Sequence, residues 1–172
     1  MSLDYKKISA TYKPTIVKIL LVGEAPPPKG DRYFYKIPEP YKLSSKDIEK
    51  DTSLPATIFN HYFGKRPATA EEYRRFLETL KENGIFLIDL YEKPEIFRNC
   101  PENLLLLFSD ENIQNFQNRV SKLTNKDTEI IFLLARNYRI QYRSLLKSHF
   151  PEAKLIRWKV FRLSNEQDFL TV

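Results

Sequence analysis

Apolar residues along this chain gather into short dense runs with amphipathic stretches between them. The runs are Ile16–Val22 (IVKILLV), Ile85–Leu90 (IFLIDL), Glu129–Ala135 (EIIFLLA) and a fourth beginning at Lys154–Trp158. They are nearly continuous rather than alternating, short, and rich in β-branched residues, which predicts strands buried on both faces. Between them the spacing predicts helices. One covers Leu54–Phe63 and ends at Gly64. The next is capped by Thr69, carries Glu71 and Glu72 in its first turn, turns Phe76, Leu77 and Leu80 inward, and is closed by Gly84. Residues 102–123 form a helical region broken near Ser109-Asp110, which reads as a second N-cap, and Tyr138–Phe150 forms a helix ended by Pro151. The tail, VFRLSNEQDFLTV, reads as loop and a short helix. Strands alternating with helices predict an α/β fold with a parallel sheet covered on both faces. Right-handed crossovers then place all strand ends on one rim, where such sheets bind ligands. The segments to read for function are therefore 23–41, 89–95, 135–139 and 157–167.

Composition narrows this picture. At 172 residues, 42% apolar and 29% charged, the chain fits one domain with one core. No run reaches the roughly 18 apolar residues of a membrane span, and MSLDYKKISATYK lacks the apolar centre of a secretion signal. The single cysteine, Cys100, excludes an internal disulfide and suits a cytoplasmic location. A net charge of +6 and a pI near 9.3 favour polyanionic partners. The cations are scattered, however, so charge alone leaves nucleic-acid binding and ordinary solubility equally placed. No Cys/His spacing points to a metal, and no cofactor is implied.

The loop after the first strand carries the most chemistry. Gly23-Glu24-Ala25-Pro26-Pro27-Pro28-Lys29-Gly30-Asp31-Arg32-Tyr33-Phe34-Tyr35 sets an acid just past a buried strand, then stiff prolines, then three aromatics. It is neither a Walker loop nor a dinucleotide fingerprint. A fixed acid beside flat rings suits a base, since stacking contributes about 1–3 kcal/mol per base. The competing readings are that Tyr33, Phe34 and Tyr35 pin the loop to the core, and that Glu24 is solvated or paired with Arg32.

LLVGEAPPPKGDRYFY resembles the first motif of the uracil-DNA glycosylase superfamily, closest to its GEAPG-type branch and to relatives carrying GE-small-P-P before an aromatic cluster. The resemblance extends loosely over residues 16–170. It implies a three-layer α/β/α sandwich with a four-stranded parallel sheet ordered 2-1-3-4, and hydrolysis of the N-glycosidic bond of a damaged or modified base flipped out of DNA. On that basis Glu24 matches the water-positioning site. Gly23 and Ala25 line the pocket, and one of Tyr33, Phe34 and Tyr35, preferably Phe34, stacks on the base. Asp89 falls at the base-reading position. Arg162, Leu163, Ser164 and Asn165 fall at the last motif, and with Arg157 they face single-stranded or damaged duplex DNA.

Two departures qualify the resemblance. Asp89 stands where the family often has Asn; a carboxylate only accepts hydrogen bonds, so it repels a carbonyl oxygen unless protonated. Ionised, it suits a base edge offering amino or imino donors. The family's last-motif His is also missing, since the two histidines, His61 and His149, fall in helices. Arg157 or Arg162 is the candidate replacement for its charge; losing such an anion-stabilising donor costs about 10²–10³ in rate. Cys100 and Trp158 read as packing residues. Arg136, Arg139 and Arg143, interleaved with Tyr138 and Tyr142, suit either a phosphate grip or a solvated helix face. Three functions stay open: a DNA-repair glycosylase, a nucleobase- or nucleic-acid-binding module of the same fold without catalysis, and a hydrolase of free nucleosides.

Overall fold

Strands β1 (Ile19–Gly23), β2 (Ile85–Asp89), β3 (Glu129–Leu134) and β4 (Lys154–Arg157) form one all-parallel sheet in the order β2-β1-β3-β4. The computed structural model describes residues 3–30, 33–38, 53–95, 101–134 and 138–157, without the side chains of 101, 102, 134 and 157. The sheet and its order are those implied above. The first strand starts later than its apolar run, because pairing begins only at Ile19, opposite Ile85 and Glu129, and Ile16 is left 61% exposed. Central β1 shows why these runs do not alternate. Leu20, Leu21 and Val22 are all buried, because both faces of the strand are covered.

The helices are α1 (Tyr5–Thr11), α2 (Leu54–Phe63), α3 (Ala70–Glu82), α4 (Pro101–Leu107), α5 (Asp110–Ser121) and α6 (Arg139–His149). Their ends follow the chemistry of the sequence. Ser53, Thr69 and Ser109 accept from the backbone N–H three residues on, each cap contributing about 1 kcal/mol. Gly64 ends α2 at φ 67°, where a side chain would be strained.

The crossover from β1 to β2 runs one way along the sheet, and those from β2 to β3 and β3 to β4 run the other. Right-handed connections therefore put α2–α3 on one face and α4–α6 on the opposite face. Aromatic rings fill both layers. On the first face Phe59 contacts Phe34, Tyr73 and Phe76; on the second, Phe116 and Phe132 contact each other and Phe150. The reversal of direction makes the gap between the carboxyl ends of β1 and β3 the topological switch point, the usual ligand crevice of such sheets.

Helix α1 was not foreseen. YKKISAT is polar and contains no fully buried residue, so its pattern carries no strong signal. Asp4 caps it, and Tyr5, Ile8 and Tyr12 lay it against the core. Among the described residues no helix is long and apolar enough to cross a membrane.

Candidate functional site

Glu24 and Asp89 meet at the carboxyl ends of the two neighbouring strands. Gly23 pairs with Asp89 in register, and the ladder continues beyond the strands. Leu90 N–H donates to Gly23 O at 2.9 Å, Tyr91 N–H to Glu24 O at 2.9 Å, and Glu95 N–H to Pro26 O at 3.2 Å. The two loops thus leave the sheet side by side. Gly23 is required by close approach: a Cβ there would lie 2.5 Å from Asp89 Oδ1 and 3.6 Å from Leu54 Cδ2. The Asp89 carboxyl therefore occupies the space that the glycine leaves open, beside the start of α2.

Both acids are partly buried. Glu24 Oε1 is buried and has no hydrogen-bond partner among the described residues. Burial pushes the Glu24 carboxyl up to about 7. Asp89 is also raised to about 7, first by burial and further by the Glu24 charge, while the Arg119 guanidinium opposes the rise. Near neutrality each acid can thus exist with or without its proton.

The surroundings include groups that sequence reasoning missed. Arg119, on α5, donates from Nη1 to Asp89 O at 3.0 Å and from Nη2 to Leu90 O at 2.9 Å, clamping the end of β2. Asn112 Nδ2 also donates to Leu90 O, at 3.3 Å. Tyr142 on α6 is 1% exposed. Burial raises its phenol, and the charges of Glu24 and then Asp89 raise it further, so its hydroxyl lies within electrostatic reach of both acids. The alternation of Arg and Tyr after the third strand flagged Tyr142, but only as part of a phosphate grip.

That alternation separates in space. Tyr138 and Tyr142 are buried, whereas Arg139 and Arg143 face solvent; Arg136 lies outside the described residues.

The three loop aromatics do not stand open beside the acids. Tyr33, Phe34 and Tyr35 are 6%, 4% and 4% exposed and belong to the core, which corrects the expectation that one of them presents a ring face to a base in this conformation. The physical reason is the docking of the α1 segment over Tyr33 and Tyr35 and of α2 against Phe34. Tyr5 meets Tyr33 edge-on at 4.7 Å and Tyr12 stacks on Tyr35 at 5.8 Å. Phe34, the preferred stacking ring, lies against Phe59 at 5.4 Å, and its carbonyl accepts from the Tyr73 hydroxyl at 2.8 Å. The Tyr35 hydroxyl accepts from Leu87 N–H at 2.6 Å and donates to Leu87 O at 3.0 Å, satisfying the outer edge of β2. The charge of Asp89 raises the phenols of both Tyr33 and Tyr35, after burial as the main cause.

Ala25 is half-buried against the core. Arg157 is the last residue of β4, at the same rim, and its side chain is outside the description; Arg162, Ser164 and Asn165, with Cys100, Trp158, Asp31 and Arg32, lie outside the described residues. His61 sits in the last turn of α2, the end remote from Gly23, and His149 is exposed at the end of α6, 3.2 Å from Gln117 Nε2. No group of three His, Cys, Asp or Glu that could hold a metal ion occurs among the described residues. An open cavity of about 500 Å³ is lined by Leu104, Leu105, Phe108, Ser109, Asp110 and Gln141, and not by the two acids.

Comparison with protein families, with curated proteins and with solved structures yields no match to this chain.

Proposed function

We propose that the chain binds a nucleobase at the carboxyl ends of β1 and β2 and hydrolyses its N-glycosidic bond, as the resemblance of the first loop to uracil-DNA glycosylases implies. The observation that carries this reading is Glu24. Its Oε1 is buried and unpartnered, and its carboxyl is raised to about 7 at the end of the central strand. A base poised near the working pH is effective at taking a proton from water. The oxygen of that water then bonds to the sugar carbon, the carbon–nitrogen bond breaks, and its electron pair leaves with the base.

Asp89 serves as the reader of the base edge. Protonated, it donates to a carbonyl oxygen much as an amide would; ionised, it accepts from an amino or imino group. The departing base carries negative charge. Protonated Asp89 and the Tyr142 phenol are the described groups whose electrostatic coupling suits them to stabilise it.

One observation favours the second reading, a binding module without cleavage. The three loop rings are committed to the core, so stacking has to come from elsewhere or from a rearranged loop.

Single-turnover assays on oligonucleotides carrying uracil, hypoxanthine, xanthine or alkylated bases, single- and double-stranded, separate the readings. Base release that falls by about 10²-fold or more in Glu24→Gln supports the glycosylase. Salt-dependent binding with no product under excess protein assigns the binding module, and release from free nucleosides alone assigns the small-substrate hydrolase. A clear preference for uracil at pH 8, where Asp89 is ionised, would contradict its role as reader.

A further inference from the structure

Helix α6 carries three cations and no acid: Arg139, Arg143 and Lys147 in RIQYRSLLKSH. They are spaced by four residues, so they form one row along the helix, with steps of about 6 Å. All three are exposed, and none forms an ion pair with a described residue. The contrast with α3 is informative. There Arg74 pairs with Glu71 at 2.6 Å and Arg75 with Glu72 at 3.7 Å, so the arginines of that helix meet acids on the same helix.

The row starts at the functional rim, because α6 begins where β3 ends. Beside its first cation stands Ile140, 81% exposed, and next to that Gln141 enters the open cavity with Leu104, Leu105 and Phe108. Leu105 is itself 78% exposed. Gln141 lies about 160° around the helix from the centre of the cationic row, so the cavity, with Leu105 and the acid Asp110, stands on the other flank of α6. Ile140 is a large apolar side chain held in solvent beside three cations that pair with no described residue, which suits a partner with both charge and flat apolar faces.

We propose that the outer face of α6 is a docking strip for single-stranded nucleic acid: Arg139, Arg143 and Lys147 follow one phosphodiester backbone, and Ile140, exposed beside that row, receives an unpaired base. A single row engages one backbone, and apolar side chains reach base faces only where these are unstacked. The strip leads a strand toward the rim that holds Glu24 and Asp89. Its existence does not depend on bond cleavage, so a protein that binds without cutting uses it equally.

Fluorescence anisotropy of a labelled mixed-sequence oligonucleotide, titrated across salt concentrations, tests this. Removing three phosphate contacts from a single strand lowers the slope of log K against log salt by about 0.7 each, or about 2 in total. The variant Arg139→Ala/Arg143→Ala/Lys147→Ala is expected to show that loss. A control with the same charge change, Lys13→Ala/Lys122→Ala/Lys126→Ala at exposed positions elsewhere, is expected to keep its slope. Ile140→Ser is expected to weaken single-strand binding several-fold with the slope unchanged. The proposal is overturned if the control loses as much as the α6 variant, if the α6 variant keeps the full slope, or if a duplex of the same sequence binds as tightly as the single strand.

Discussion

Replacing Tyr35 with phenylalanine separates a structural role from a ligand-binding one. The hydroxyl answers both backbone groups of Leu87 on the outer edge of β2, at 2.6 and 3.0 Å. Tyr35 and Leu87 are each only 4% exposed, so water has little access to replace it. The ring contacts with Tyr12, Phe34 and Phe86 survive the change, leaving the two orphaned groups as the main loss. An unsatisfied buried donor or acceptor costs about 1–3 kcal/mol; the pair together gives about 2–4 kcal/mol, allowing for partial relaxation. For a chain of this size each kcal/mol shifts Tm by roughly 2–4 °C, so the variant is expected to melt about 4–16 °C lower. Urea unfolding followed by circular dichroism measures the loss, and nucleobase binding by the folded variant should match that of the intact protein. A stability change below about 0.5 kcal/mol, within the range of ordinary surface substitutions, accompanied by weaker base binding, would refute the edge-capping account and restore Tyr35 to the ligand.

Two further outcomes follow from the acid pair and its clamp. Glu24 and Asp89 hold their protons more tightly folded than unfolded, both near 7. Their protonated forms therefore stabilise the fold fully below about pH 4, and that contribution is lost as pH rises through about 7. Urea midpoints between pH 4.5 and 8 should fall more steeply in the intact protein than in Asp89→Asn, by an amount on the order of a few kcal/mol; parallel curves would rule out a buried proton at Asp89. Arg119→Ala removes two donors from the end of β2 and a positive charge beside Asp89. It should cost about 1–3 kcal/mol and move the Asp89 titration, read by carboxyl NMR, to higher pH; a downward shift would contradict the arrangement described.

What the sequence determined by itself is the alternation of elements. Unbroken apolar runs are best satisfied by strands covered on both sides, and Thr69, Ser109 and Gly64 mark helix ends through bonds made within a few residues. Those signals are local, so they are readable along the chain. The acid at position 24 was legible for the same reason, since it directly follows a buried strand. Its electrostatic state was not, because a carboxyl rises to about 7 only when distant segments exclude water from it. Tertiary structure alone put the Asp89 carboxyl over Gly23, brought Arg119 from α5 and Tyr142 from α6 to the same rim, and split the Arg/Tyr alternation into a buried and an exposed face. It also decided the fate of Tyr33, Phe34 and Tyr35. An aromatic run carries equal apolar area whether it meets a ligand or a neighbouring helix, and the docking of α1, a polar seven-residue helix with little pattern of its own, over Tyr33 and Tyr35, with the packing of Phe34 on α2, settled which.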